Sequence, residues 1–346
     1  MGLVRSEDIQ YKLEEINNIL GKKYVQEHPE KGRNWRTYES EFSRRIKTAM
    51  KELDPLIEKA VSIMHIAKRP GHPHSLLLAQ RVKLILIKQL VGESNRMFVN
   101  MLDIFSMLSG IDVSYKTIER LYSDNEVVMA IFNLHVLLLK NKNIANSDAT
   151  GDGTGYSLTV KKNYESYAQR LKDLAKENKE IGKEEHKDKK SKGHRKRLFA
   201  YSFSIMDLRT RMYIASGTSM KSERNAYDNA MRIVNKIGIN IDSIRLDRYY
   251  SSPSYVDKLG DTKVYIIPKK NSTLHGSHKW KSIIREFLND TMNYLEKYHK
   301  RSNSESGFAA DKKMLGWNMA QRRDDRIGNA LLCTNVWHNL FNMGRY

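Results

Sequence analysis

A single cysteine, Cys333, stands in a chain of 346 residues. One thiol excludes an intramolecular disulfide framework and any zinc site built on cysteine. Apolar runs are short as well, and none approaches the roughly 18 to 20 uncharged apolar residues that a bilayer crossing needs. The opening stretch, MGLVRSEDIQYKLEE, turns acidic and helical at once without an apolar core, so it does not read as a secretory signal. Acidic side chains are the scarcer sign, with 40 Asp and Glu against 60 Lys and Arg. A cytoplasmic protein with no membrane partner is the expectation.

What is present is a globular balance of 40% hydrophobic and 29% charged residues, in a chain long enough for two or more domains. The formal charge of +20 suits a polyanionic partner, because each phosphate neutralised releases condensed counterions. On charge alone, a generally basic or ribosome-associated protein remains the plainer alternative.

Up to about Lys140 apolar residues recur at three and four, the helical period. Pro70, Gly71 and Pro73 break this half of the chain. Between about residues 95 and 124, RMFVNMLDIFSMLSG reads as a helix stopped at Gly110, IDV as a turn, and SYKTIERLYSD as a short helix capped by Ser114. Lys116, Thr117 and Arg120 fall on its polar side. The unit is similar to a helix-turn-helix, and equally to an ordinary pair of antiparallel helices. From Asn146 the period changes. SDATGDGTGYSLTV reads as strand and turn, and the lysine-rich stretch from 161 to 197 is too polar to build a core. LFAYSFSIMD and RTRMYIASGTSM read as strands joined at Asp207–Leu208. Helix, strand, short helix, strand and helix follow. This order predicts an α/β fold with a mixed sheet covered by helices.

Metal-dependent phosphodiester chemistry needs carboxylates converging from distant segments, because hard divalent cations take oxygen ligands. Asp247 ends the strand SIRLD, where an aspartate also serves as a helix cap. Asp148 and Asp152 each open an Asp-x-Thr-Gly pattern, and either could instead serve a turn. Glu305 shares a helical face with Tyr298, Arg301 and Lys312, all within about 60° of one another. Such a face is often merely solvated.

The segment YHKRSNSESGFAADK matches Tyr-x2-Arg-x3-Glu-x6-Lys, and with it the chain resembles the bacterial and archaeal insertion-sequence transposases that carry a DDE catalytic triad and the YREK signature. LDRYYSS resembles the segment around that family's second aspartate, and GDGTGYS the segment around its first. The resemblance spans about Asn146 to Asn342. It implies an RNase H-like catalytic domain over 141–346, preceded by a helical DNA-binding region over 1–140. Asp152, Asp247 and Glu305 would hold two Mg²⁺ or Mn²⁺ ions. Asp152 is preferred to Asp148 because Tyr156 follows it where the family carries an apolar or aromatic residue. Tyr298, Arg301 and Lys312 would contact DNA phosphates, with Lys116 and Arg120 as further DNA contacts.

A base stacked on an aromatic ring is frequent in the family. Trp280 and Trp317 both qualify here, though nothing local separates them from core tryptophans. The lysine-rich stretch is either a DNA-gripping insertion or a solvated loop. The implied activity is cleavage of element ends in double-stranded DNA and transfer of the freed 3′-hydroxyl into target DNA, by a homodimer associated with the nucleoid. A DNA-binding protein without catalysis, and a nuclease without strand transfer, are the rival readings.

Overall fold

The computed structural model describes residues 7–15, 19, 34–66, 75–92, 97–158, 199–269 and 271–344. The expected break at Pro70, Gly71 and Pro73 and the lysine-rich stretch 161–197 lie outside these residues. No described helix is long and apolar enough to cross a membrane.

Helix α1 spans Trp35–Ser62 and is capped by Asn34, whose side chain accepts the Thr37 amide at 3.1 Å. Its buried stripe of Ala49, Leu53, Leu56, Ile57 and Ala60 keeps the three-and-four spacing, and the helix runs through Pro55. Helix α2, Leu78–Val91, stops at Gly92 in the left-handed region. A 3₁₀ turn over Met97–Met101 leads into α3, Leu102–Ser109, which ends at Gly110 with φ of 71°. Glycine carries no Cβ penalty there. Ser114 accepts the Thr117 amide and starts α4, Tyr115–Leu121. Helix α5, Asn125–Asn141, begins at Asp124, which caps two amides and pairs with Arg81. The helix, turn and short helix read between residues 95 and 124 are thus present.

Strand β1 covers Asn146–Leu158, β2 Phe199–Asp207 and β3 Tyr213–Ser219. Helix α6, Glu223–Ile237, leads to β4, Asn240–Leu246. A 3₁₀ turn at Arg248–Tyr250, the short helix α7 at Pro253–Val256 and a further 3₁₀ turn precede β5, Lys263–Tyr265. Then come α8 His278–Asn289, α9 Thr291–His299, α10 Ser302–Leu315, β6 Asn318–Met319 and α11 Asp324–Met343. The sheet order is β3-β2-β1-β4-β5, with β6 pairing the far end of β1. The first three strands are antiparallel neighbours, while β4 runs parallel to β1 and β5 parallel to β4. From Ser202 to Asp207 every residue of β2 is buried, as expected of a strand covered on both faces. The fold is therefore α/β, a mixed sheet flanked by helices.

Two cores hold it. One joins β2, β4, β5, α6, α8 and α9 through Phe203, Ile244, Val264, Tyr227, Phe287 and Leu295. The other joins α1, α2, α4 and α5 to α11. Within it the Trp337 indole of α11 donates to the Leu86 carbonyl at 2.7 Å, and the Gln89 amide donates to Thr334 at 3.2 Å. Helix α11 is consequently buried nearly all round.

Candidate active site

The glycine-rich segment read as strand and turn is one continuous strand, and alternation explains its composition. Gly151 and Gly153 point toward Phe203, Leu246 and Glu223, where an added Cβ would collide. Thr150, Asp152, Thr154 and Tyr156 take the other face, toward α10. There Thr150 Oγ1 lies 3.4 Å from both the Arg301 carbonyl and Ser304 Oγ. The Lys312 ammonium donates to Thr154 Oγ1 at 2.7 Å and lies over the rings of Tyr156 and Trp317, at 5.3 and 4.9 Å. Thr150 and Thr154 belong to this site although neither was singled out in the sequence. Their signal was the period of two.

Asp152 and Asp247 are neighbours by register. Gly151 of β1 pairs with Leu246 of β4, so the next residue along each parallel strand carries a carboxylate. Asp247 also caps the 3₁₀ turn, its side chain accepting the Tyr249 amide. The two readings of this aspartate are thus compatible. The helix expected through Tyr298, Arg301, Glu305 and Lys312 is broken in two, α9 ending at His299 and α10 starting at Ser302. Lys300 and Arg301 nevertheless keep right-handed helical angles. The helix then continues past Gly307 to Leu315.

Arg301 stands where the acids meet. Its Nη1 lies 3.4 Å from Asp152 Oδ2 and 3.7 Å from Asp247 Oδ1, and its Nη2 lies 2.7 Å from Glu305 Oε1. Burial pushes the Asp152 carboxyl up to about 6; Asp247 and Glu305 add to the rise, and the Gly153 amide and Arg301 oppose it. Burial alone would lower Arg301, but Tyr298 and the three carboxylates raise it. Tyr298 is buried, which pushes its hydroxyl up to about 12. Burial lowers Lys312.

Asp148 lies apart from this group. Its carboxylate is mostly exposed, accepts from Ser243 Oγ and faces Arg245 Nη1 at 3.6 Å. Lys116 and Arg120 are exposed on α4, Lys116 pairing with Glu119 at 3.0 Å. Trp280 is a core residue whose indole donates to the Thr273 carbonyl, whereas Trp317 is 61% exposed beside Lys312.

The donors suit a hard divalent cation by type, three carboxylates from β1, the turn just after β4 and α10. The incomplete compensation of Asp152 marks a place that would accept more positive charge. As the side chains stand, the Arg301 guanidinium lies among them, and no group of three His, Cys, Asp or Glu among the described residues could hold a metal ion.

No protein-family model matches the chain. The probable transposase for insertion sequence element ISA1214 of Archaeoglobus fulgidus is 39% identical over 297 residues, which cover 86% of this chain and 84% of that protein. Similarity at this level, over most of both chains, is shared ancestry of most of the chain rather than of one motif. The chain belongs to the insertion-sequence transposases.

Proposed function

We propose that this transposase is a DDE enzyme with an RNase H-like catalytic domain, cutting the ends of its element and joining the freed 3′-hydroxyl to target DNA. The observation that carries the reading is the convergence of Asp152, Asp247 and Glu305 on one guanidinium, from segments far apart in sequence. The sheet order and the parallel β1–β4 pair support the fold assignment. Asp152, Asp247 and Glu305 would hold Mg²⁺ or Mn²⁺, two ions per site. Such ions would supply activation of the attacking hydroxyl and stabilisation of the leaving oxygen.

The remaining work falls to this chain's own groups. Arg301, beside Asp152, offers a planar fork for a phosphate, and Lys312, beside Thr154 two residues further along β1, a point charge. Tyr298, buried with its ring centroid 6.0 Å from the Arg301 guanidinium, would steady that fork at the phosphate. The helical region 1–140, with the helix-turn-helix-like unit at 95–124, would recognise the terminal inverted repeats. Lys116 and Arg120 are exposed on its second helix. Two ends imply two sites and hence a homodimer on DNA.

The test is cleavage of a labelled duplex carrying the terminal repeat, with Mg²⁺ or Mn²⁺. Asp152→Ala, Asp247→Ala and Glu305→Ala are each expected to lose more than about a hundredfold in cutting while still binding the ends. Asp148→Ala is expected to cut within about twofold of wild type, since its carboxylate faces Arg245 instead. Cutting without joined products would favour a nuclease over a transferase. Binding without cutting would favour a DNA-binding protein and overturn the enzyme reading.

A further inference from the structure

Glu223, the first residue of α6, belongs to no recognised motif, yet it lies against the segments that carry both aspartates. Its carboxylate fills the space over Gly153, the residue after Asp152. A Cβ built at Gly153 would fall 2.8 Å from Glu223 Cγ and closer still to the carboxylate. The same carboxylate accepts the hydroxyl of Tyr250. Tyr250 is fully buried among Phe203, Tyr227 and Tyr255 and closes the 3₁₀ turn that Asp247 caps. One side chain thus braces β1 immediately beyond Asp152 and the turn immediately beyond Asp247. The aromatic cluster packs around the Tyr250 ring.

We infer that Glu223 is a positioning residue of the catalytic site, fixing the spacing of the two aspartates through Gly153 and Tyr250. This rests on the DDE reading given above. A side chain at 153 would displace the glutamate, so the two positions are coupled. An amide oxygen accepts the same tyrosine hydroxyl, so glutamine preserves the brace while removing the charge.

The experiment uses the full chain and two readouts: Mn²⁺ binding, followed by electron paramagnetic resonance of the free ion, and cleavage of the terminal-repeat duplex. Glu223→Ala is expected to weaken Mn²⁺ binding about tenfold and slow cutting at least as much, with end binding intact. Glu223→Gln should restore both to within about threefold of wild type. Gly153→Ala should match Glu223→Ala in an otherwise wild-type chain, but add less than about twofold once Glu223 is already alanine. If Glu223→Ala binds Mn²⁺ and cuts like wild type, or if glutamine fails to rescue, the inference is overturned while the metal-site reading stands. If wild type itself neither binds Mn²⁺ nor cuts, that reading falls and this inference with it.

Discussion

Asp152 is the most enclosed of the three carboxylates, and its protonation links stability to pH. An ordinary aspartate releases its proton near 3.8, whereas Asp152 in the folded chain holds on to about 6. Between those values the folded state carries a proton that the unfolded state has lost. The stability due to this group is therefore complete below about pH 4 and disappears as pH rises through 6. Without divalent cations, wild type should lose on the order of 3 kcal/mol across that window relative to Asp152→Asn. Urea unfolding of both chains at a series of pH values measures the difference. A difference that stays flat from pH 4 to pH 7 would mean that the carboxylate is not held this way. Mn²⁺ should tip the same balance, binding well above pH 6 and poorly below it, because proton and cation compete for one carboxylate.

At the scale of elements, α6 packs closely against β3 at Gly217. A Cβ at Gly217 would meet the backbone of Ala226 and Ala230, which cannot move aside as a flexible side chain can. Gly217→Ala is expected to cost about 1–3 kcal/mol, read from the urea midpoint, and to displace the start of α6 where Glu223 sits. A second joint fastens α10 to α11. Asp311 accepts from the Tyr213 hydroxyl at 2.7 Å and pairs with His338 Nδ1 at 2.6 Å, while His338 Nε2 lies 2.8 Å from the Arg211 carbonyl. Tyr213→Phe leaves Asp311 a buried oxygen without its donor and should destabilise by about 1–3 kcal/mol. These two joints also mark the limit of what sequence patterns could reveal. Helix periods, the Gly110 stop, the Ser114 cap and the carboxylate order were legible because each depends on neighbours in the chain. The Tyr213–Asp311–His338 joint and the place of Glu223 depend on residues brought together from distant segments, and no local spacing encodes them. The Gly-rich strand was half legible. Its turn-like composition concealed a strand whose glycines answer to close neighbours on one face.

For the whole molecule, the packing of α11 against α1, α2 and α5 makes the N-terminal helices part of one body with the C-terminal end of the chain. Removing residues 1–140 would uncover Trp337, Val336 and Leu340, all fully buried, and should leave a fragment that aggregates rather than an isolated catalytic domain. The charge of +20 acts on the same scale. Binding of the terminal repeat should weaken steeply with salt, in proportion to the number of phosphates that the protein neutralises. Lys116 and Arg120 are exposed on α4. If α4 lies on the duplex, replacing each by alanine should reduce the slope of log K against log salt by about one and weaken all sequences alike. The same substitutions should leave the cutting rate of bound ends unchanged, since the proposed chemistry rests on Asp152, Asp247 and Glu305 instead. Fluorescence anisotropy between low and moderate salt measures both slopes. Wild-type slopes in both variants would move recognition away from α4, onto the basic surface elsewhere on the chain.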